Sequence, residues 1–507
     1  MARRRTARIG TGALEGIDGI AVTVEVDISR GLPGFHLVGL PNAEVRESKE
    51  RVLSALRNSG QKIPLGKITV NLAPAGVRKT GASGDLAMAI GILAAGGAMK
   101  LGPAARTGAA YIGELSLFGE VRGVLGLLAM VISAAEAGYK MIVVPWEQVV
   151  EARMVGQVTV VGVHNLRQAI AFWEGEEVPQ VAATIQRARP PQAERGTMLW
   201  QDLAGQPLVR KAAVLAAAGG HHLLMVGPPG TGKTRLARSL AKMGPALSSA
   251  AALEVIRIHS AVGALKPQEL LTERPFRAPH HSITRAGLVG GGVHLRPGEV
   301  TLAHEGVLFL DEMSEFAAAV LDGLREPLAD GQVSLVRGNG ARIYPARFQL
   351  LAAMNPCRCG FLGSSVRQCH CSPAEIIRHR NRLSGPLLDR IDMFVEVGPW
   401  RGDFLRQRPA AESAGSPGNW REQPLIDDLA RAHQQLRNRN SEAAYERLTG
   451  TAKTFLDEAR VPLGLSLRAV ERCVVVAETI AALDESELIS EGQVREALEF
   501  RREVIVV

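Results

Sequence analysis

Gly227-Pro-Pro-Gly-Thr-Gly-Lys233-Thr234 is the stretch that decides the fold. The apolar run Leu223-Leu-Met-Val226 leads into it as a buried strand, and residues 235–242 leave it as a helix. Strand, glycine-rich turn and helix in that order make the GxxxxGK[ST] phosphate loop. Gly227, Pro228, Pro229, Gly230, Thr231 and Gly232 wrap the phosphates, the glycines letting N–H groups turn inward at a positive helix end. Lys233 is expected to reach the β- and γ-phosphates of ATP, and the Thr234 hydroxyl to hold Mg²⁺.

Downstream, Gly306-Val-Leu-Phe-Leu-Asp311-Glu312 predicts a second apolar strand ending in two carboxylates. Asp311 is expected near Mg²⁺ and Glu312 near the attacking water, which implies hydrolysis and not nucleotide binding alone. A third strand, residues 348–353, leads into Met354-Asn355-Pro356, where Asn355 can position the same water. Ser384-Gly-Pro-Leu-Leu-Asp-Arg390 could offer an arginine to a γ-phosphoryl group, although spacing alone favours a surface salt bridge.

The whole chain has 507 residues, 46% hydrophobic and 22% charged, which argues for about three or four globular units and against wholesale disorder. Its longest apolar stretches, 86–99 and 123–135, are too short and glycine-broken to cross ~30 Å of hydrocarbon. The basic start lacks an apolar signal core, and five cysteines make no disulfide framework, so a cytoplasmic protein is expected. Net charge of +8 permits a polyanionic partner, while 4% aromatics disfavour grip by base stacking.

Proline-rich, aperiodic segments at 175–201 and 400–423 read as linkers. They delimit an N-terminal domain at 1–174, a core at 202–399 and a helical domain at 424–507. Strands are expected at 21–28, 67–72 and 141–144, with an amphipathic helix at 44–58. The C-terminal part reads as helices at 424–437, 451–458 and 467–483 and a last one capped by Ser490 and Gln493.

Several further segments resemble the ComM/YifB family of magnesium-chelatase-like AAA+ ATPases. They are Ala217-Ala-Gly-Gly-His-His222, Phe276-Arg-Ala-Pro-His-His281, Leu288-Val-Gly-Gly-Gly292, Leu302-Ala-His-Glu305 running into Glu312, Leu324-Arg-Glu-Pro-Leu328 and Ala353-Met-Asn-Pro-Cys357. Gly31-Leu-Pro-Gly-Phe35 and Val38-Gly-Leu-Pro41 extend the likeness to nearly the whole chain. The resemblance implies an α/β chain with a Lon-protease-like α+β N-terminal domain, an AAA+ P-loop core on a parallel sheet and a C-terminal helical lid. It makes Asn355 the sensor-1 residue, Arg390 the arginine finger and Arg468 the sensor-2 arginine. It also implies a homo-hexameric ring with ATP between subunits, acting on single-stranded or branched DNA in recombination and natural transformation. A magnesium-chelatase motor driving metal into a porphyrin is the second reading, though no D-x-S-x-S motif is present.

Residues 335–382 hold eight arginines against one acid, Glu375. Within them a β-hairpin turns at Gly338-Asn-Gly340. Related motors aim such a hairpin into the ring pore, so Arg337 and Arg342 become candidates for DNA phosphate contact, the alternative being a solvated or inter-subunit face. Cys357, Cys359, Cys369 and Cys371 can close one structural Zn²⁺ site, with His370 the less favoured fourth ligand, or else form small reduced core residues or a redox-sensitive loop. The adjacent pairs His221-His222 and His280-His281 are poor chelates and read as ordinary hydrogen-bonded histidines. In the N-terminal domain, Lys79-Thr-Gly-Ala-Ser83 matches the segment of the Lon nucleophile, but the position of the catalytic lysine falls at Leu128. Without that base Ser83 is expected to be inactive as a peptidase.

Overall fold

β-Branched residues alternating with charges, Val22, Val24, Val26 and Ile28 against Thr23, Glu25 and Asp27, build a long half-buried strand, Asp18–Ser29. In the computed structural model this strand (β2) pairs antiparallel with Thr6–Glu15 (β1). The structure describes residues 5–39, 43–75, 81–100, 102, 108–178, 206–265, 273–293, 295–337, 340–364, 367–398, 429, 431–436 and 441–501. Both expected linkers lie outside these residues except for 175–178.

The chain forms two units, and Ser249–Leu271 belongs with Met1–Ala188 in the first. That excursion lies inside the stretch 202–399 expected to be the core domain. In the first unit, Gly34–Val38 (β3), Lys67–Ala73 (β4), Ala110–Tyr111 (β5), Met141–Pro145 (β6) and Thr159–Val163 (β7) complete a seven-stranded mixed sheet, ordered β3-β4-β2-β1-β5-β6-β7. Helix α1, Ala43–Asn58, matches the expected helix to within a residue. The two apolar stretches supply helices Asp85–Gly96 (α2) and Leu127–Glu136 (α3), most of whose residues are buried. Among the described residues no helix is long and apolar enough to cross a membrane.

Gly12 of β1 and Gly19 of β2 let α3 come close: a Cβ on Gly12 would stand 2.6 Å from the Met130 Cβ. The helix Ser249–Ala261 is tied to the same unit, where the Ser260 hydroxyl donates to buried Glu151 and the Gly126 N–H to the Ser260 carbonyl. Ser83 is buried, its hydroxyl donating to the Gly12 carbonyl at 2.7 Å, and Leu128 is fully buried. Two residues on, Asp85 is also fully buried and takes 2.7 Å from Arg51 Nε.

The second unit is built on five parallel strands. In chain order they are Leu223–Val226 (β8), Phe276–Arg277 (β9), Val307–Leu310 (β10), Gln349–Met354 (β13) and Met393–Glu396 (β14), arranged β9-β10-β13-β8-β14. Between β10 and β13, Gln332–Arg337 (β11) and Gly340–Pro345 (β12) form a separate antiparallel hairpin whose two tip residues are not described. Unbroken apolar runs suit these strands because helices cover a parallel sheet on both faces. Leu223, Met225, Phe309, Leu351 and Val395 share one core with Val474, Ala477 and Ile480 of the C-terminal helix Leu467–Leu483. That helix has the bounds expected from its periodicity, and Ser490 and Gln493 form the expected capping box on Glu491–Glu499. Of the expected helix 424–437, the described residues 431–436 are helical and most of the rest lies outside the described set.

Replacing Arg51 by alanine leaves the Asp85 carboxylate buried without its partner, and the expected loss is about 3–5 kcal/mol. Urea denaturation followed by circular dichroism measures it, and a change below about 1 kcal/mol would show that the pair contributes little.

Candidate functional site

The strand order puts three loops side by side. The phosphate loop follows β8, Asp311-Glu312 follows β10, and Asn355 follows β13, the strand between them. Ligands in such sheets bind beyond the carboxyl ends of the strands. Val226 is in register with Met354, and the Gly227 N–H donates to the Met354 carbonyl at 3.1 Å, so the loop starts level with Asn355.

All eight loop residues are described. Gly232 has a φ of +86°, a left-handed turn that delivers Lys233 to the first position of helix Lys233–Met243. Lys233 is buried, and its Nζ donates to the Gly227 and Pro228 carbonyls, both at 2.7 Å. The Thr231 hydroxyl donates to the Pro228 carbonyl at 3.0 Å and holds the turn. Burial pulls the Lys233 ammonium down to about 8, against Asp311 and Glu312, which favour its charge. The Thr234 hydroxyl donates to Asp311 Oδ2 at 2.6 Å. A hydroxyl and a carboxylate in contact are hard oxygen donors of the kind Mg²⁺ takes.

Glu312 stands at a φ of +50° and exposes about half its side chain. Its backbone N–H donates to the other Asp311 oxygen at 3.0 Å, and His281 Nδ1 is 3.7 Å from its Oε2. His281 stacks on His280 and meets the edge of Phe316. From spacing this histidine reads as an ordinary hydrogen-bonded one; it is the order of the strands that sets it beside Glu312. Asn355 is half-buried at the strand tip, its carbonyl in hydrogen bond with His379 Nε2 at 3.0 Å.

Arg390 and Arg468 lie on elements joined by carboxylates. Arg390 Nη1 donates to the Pro386 carbonyl at 2.6 Å. The neighbouring Asp389 accepts from Ser466, the cap of the helix that carries Arg468. Asp392 is buried and accepts from the His222 N–H at 2.7 Å, while Arg472 of that helix lies 3.1 Å from its other oxygen. Burial raises the Asp392 pKa, but His222, Arg472 and His221 outweigh it and hold the carboxyl below its usual range. His221 bonds Thr479 at 2.8 Å, and burial pushes its pKa down to about 4, so it is neutral. The first histidine pair thus braces the core against the C-terminal helices.

Cys357, Cys359, Cys369 and Cys371 converge, all four sulfurs lying within 4.8 Å of one another. Three Sγ separations are 3.4, 3.5 and 3.7 Å. Thiolates about 2.3 Å from a tetrahedral zinc stand about 3.8 Å apart, so the donor set fits that ion. His370 is not among the clustered groups.

The arginine-rich segment is less uniform than its count. Arg347 pairs with Glu305 at 2.9 Å, Arg382 with Glu315 at 3.0 Å, and Arg367 lies over the Phe361 ring. On the hairpin, Arg337 and Arg342 share a face with buried Val333 and Tyr344. The opposite face carries exposed Val336 and Ile343, an aliphatic surface the sequence reading did not foresee.

Residues 199–403 match the family of magnesium chelatase, subunit ChlI. Residues 24–148 match the family of subunit ChlI of Mg-chelatase, and 425–501 match the ChlI C-terminal family. The chain is 39% identical over 503 residues to the protein YifB of Salmonella typhimurium, covering 98% of this chain and 97% of that one. It is 38% identical over 506 residues to YifB of Escherichia coli, covering 97% and 96%. Competence protein ComM of Haemophilus influenzae is 38% identical over 497 residues, covering 96% and 95%.

The lowered pKa of Lys233 has a measurable sign. Phosphates favour the ammonium, so its pKa is higher with nucleotide than without. Above pH of about 8, nucleotide binding should therefore take up a proton, and affinity should fall by up to about tenfold per pH unit. Titration calorimetry in two buffers of different ionisation heat reads the uptake, and equal uptake by wild type and Lys233→Met would contradict the assignment.

Proposed function

The chain belongs to the ComM/YifB family of magnesium-chelatase-like proteins, and from that premise we propose that it is a ring-forming ATP hydrolase that moves along single-stranded or branched DNA. The contact of Thr234 with Asp311 beside buried Lys233 carries the reading, because it assembles the two halves of a nucleotide site. Thr234 and Asp311 would hold Mg²⁺, which supplies charge neutralisation on the phosphates. Lys233 binds the β- and γ-phosphates. Glu312, oriented by His281, takes a proton as water oxygen bonds to the γ-phosphorus and the bond to ADP breaks. Asn355 orients that water from the neighbouring strand tip. Arg390 and Arg468 neutralise the charge that develops on the transferred group, and in a homo-hexamer they serve the adjoining subunit's nucleotide.

The DNA reading is supported by the name of one relative, competence protein, and by the basic hairpin. Arg337 and Arg342 would track phosphates, a grip that weakens with salt and ignores sequence. We place the activity in helicase-driven branch migration during homologous recombination, including that of DNA taken up in natural transformation. The four clustered thiols are assigned to a structural Zn²⁺, closed to substrate because all four positions are protein ligands. The N-terminal unit is assigned a Lon-like fold without peptidase activity, since the Ser83 hydroxyl donates to a backbone carbonyl and Leu128 offers no base.

Branched-DNA unwinding should be lost in Lys233→Ala and Glu312→Gln, and retained unwinding in both would sink the mechanism. ATP turnover should be DNA-stimulated, with the stimulation falling as salt rises and weaker in Arg337→Ala and Arg342→Ala. Turnover indifferent to DNA but raised by a porphyrin would favour the chelatase-type motor instead. Metal analysis should find about one zinc per chain, reduced in Cys357→Ser and Cys369→Ser; purified protein without zinc would contradict the assignment.

A further inference from the structure

Arg325, Arg390 and Arg468 come from three separate stretches of the second unit, and aspartates fasten those stretches side by side. Arg325 opens the helix Arg325–Asp330, and its Nη2 lies 2.7 Å from Asp322 Oδ1. The same oxygen accepts from Ser384 at 3.0 Å, the residue that caps the short helix leading to Arg390. At the other end of that helix Asp389 accepts from Ser466 at 3.3 Å, and Ser466 caps the helix whose first turn carries Arg468. One turn further, Arg472 is anchored on Asp392.

Two guanidinium nitrogens in this cluster, Arg325 Nε and Arg390 Nε, are buried and have no hydrogen-bond partner. Leaving buried donors unpaired is costly, and gathering like charges adds to the cost. Burial first, then the charges of Arg468, Arg325 and Arg472, depress the Arg390 pKa, with Asp389 opposing. An anion with several oxygens relieves both costs, and the planar guanidinium fork matches a phosphate. The carboxylates that bear on Lys233 are Asp311 and Glu312, and the set that bears on Arg390 shares no residue with them.

We propose that Arg325 is a third arginine that, beside Arg390 and Arg468, contacts the terminal phosphate of a nucleotide held by the phosphate loop of a second copy of this chain. The proposal rests on the ATP-hydrolase reading above. It assigns catalytic contact to a residue of Leu324-Arg-Glu-Pro-Leu328, a segment that carries the family resemblance but to which the sequence alone gives no role.

Mixing of variants tests it. Lys233→Ala and Arg325→Ala should each lose about 100-fold in ATP turnover when assayed alone, with the ATP affinity of Arg325→Ala little changed. Mixed in equal amounts and reassembled, they should recover, because about a quarter of the interfaces then pair an intact loop with an intact arginine. No recovery, or wild-type turnover by Arg325→Ala alone, overturns the proposal. If Arg325→Ala does not fold by circular dichroism, Arg325→Gln takes its place with the same expectations. Recovery by Arg390→Ala with Lys233→Ala, but not by the Arg325 variant, overturns the role of Arg325 alone. Failure of the underlying reading looks different: wild type would hydrolyse no ATP, or Lys233→Ala would hydrolyse it normally.

Discussion

The hydrogen bond from Thr234 to Asp311 joins two strand ends that are not neighbours. β13 lies between β8 and β10, and adjacent strands stand about 4.8 Å apart, so the phosphate loop must reach across an intervening strand. The reach is set by the first turn of the helix that begins at Lys233, and the strand that leads into Asn355 lies between the two ends. Lys233, Thr234, Asp311, Glu312 and Asn355 thus meet because of sheet order, although they span more than a hundred residues of chain. Burial of Lys233 and the chain of contacts through Asp311 to Glu312 follow from that one crossing.

A second level of organisation uses carboxylates as fasteners, from exposed Asp322 to buried Asp392. Asp322, Asp389 and Asp392 each join an arginine-bearing element to its neighbour, and each does so partly through a helix cap or a backbone N–H. Such contacts are directional, so they fix the angle of an element better than apolar packing does. The shared core of the sheet and the C-terminal helices supplies the cohesion, while the aspartates set the register of the arginines. A movement of the helix Leu467–Leu483 would carry Arg468 and pull on Asp389 and Asp392 together, which couples the helical segment to the element bearing Arg390.

The parts legible in the sequence are those whose physics is local. The phosphate loop needs particular residues at particular spacings, the strand Asp18–Ser29 alternates, and the cap at Ser490 is a four-residue pattern. The Cys cluster was legible as a spacing, although only the fold shows that the four sulfurs converge. What was hidden depends on contacts between distant segments. Asp392 meets His222 from 170 residues away, and His281 meets Glu312 from the neighbouring strand. Ser249–Leu271 follows the phosphate-loop helix in sequence yet folds with the N-terminal unit, and no composition shift marks that departure. The arginine count between 335 and 382 overstated a free basic surface, because several of those side chains are paired or stacked within their own unit.

The central claim is that nucleotide bound between copies of this chain drives a DNA-gripping hairpin. Electron cryo-microscopy of Glu312→Gln assembled with ATP, Mg²⁺ and branched DNA tests it most directly. The account predicts a ring with ATP on Lys233 and Thr234, arginines of the adjoining copy at the γ-phosphate, and DNA beside Arg337 and Arg342. A monomer, an arginine set turned away from the nucleotide, or DNA bound elsewhere would contradict it.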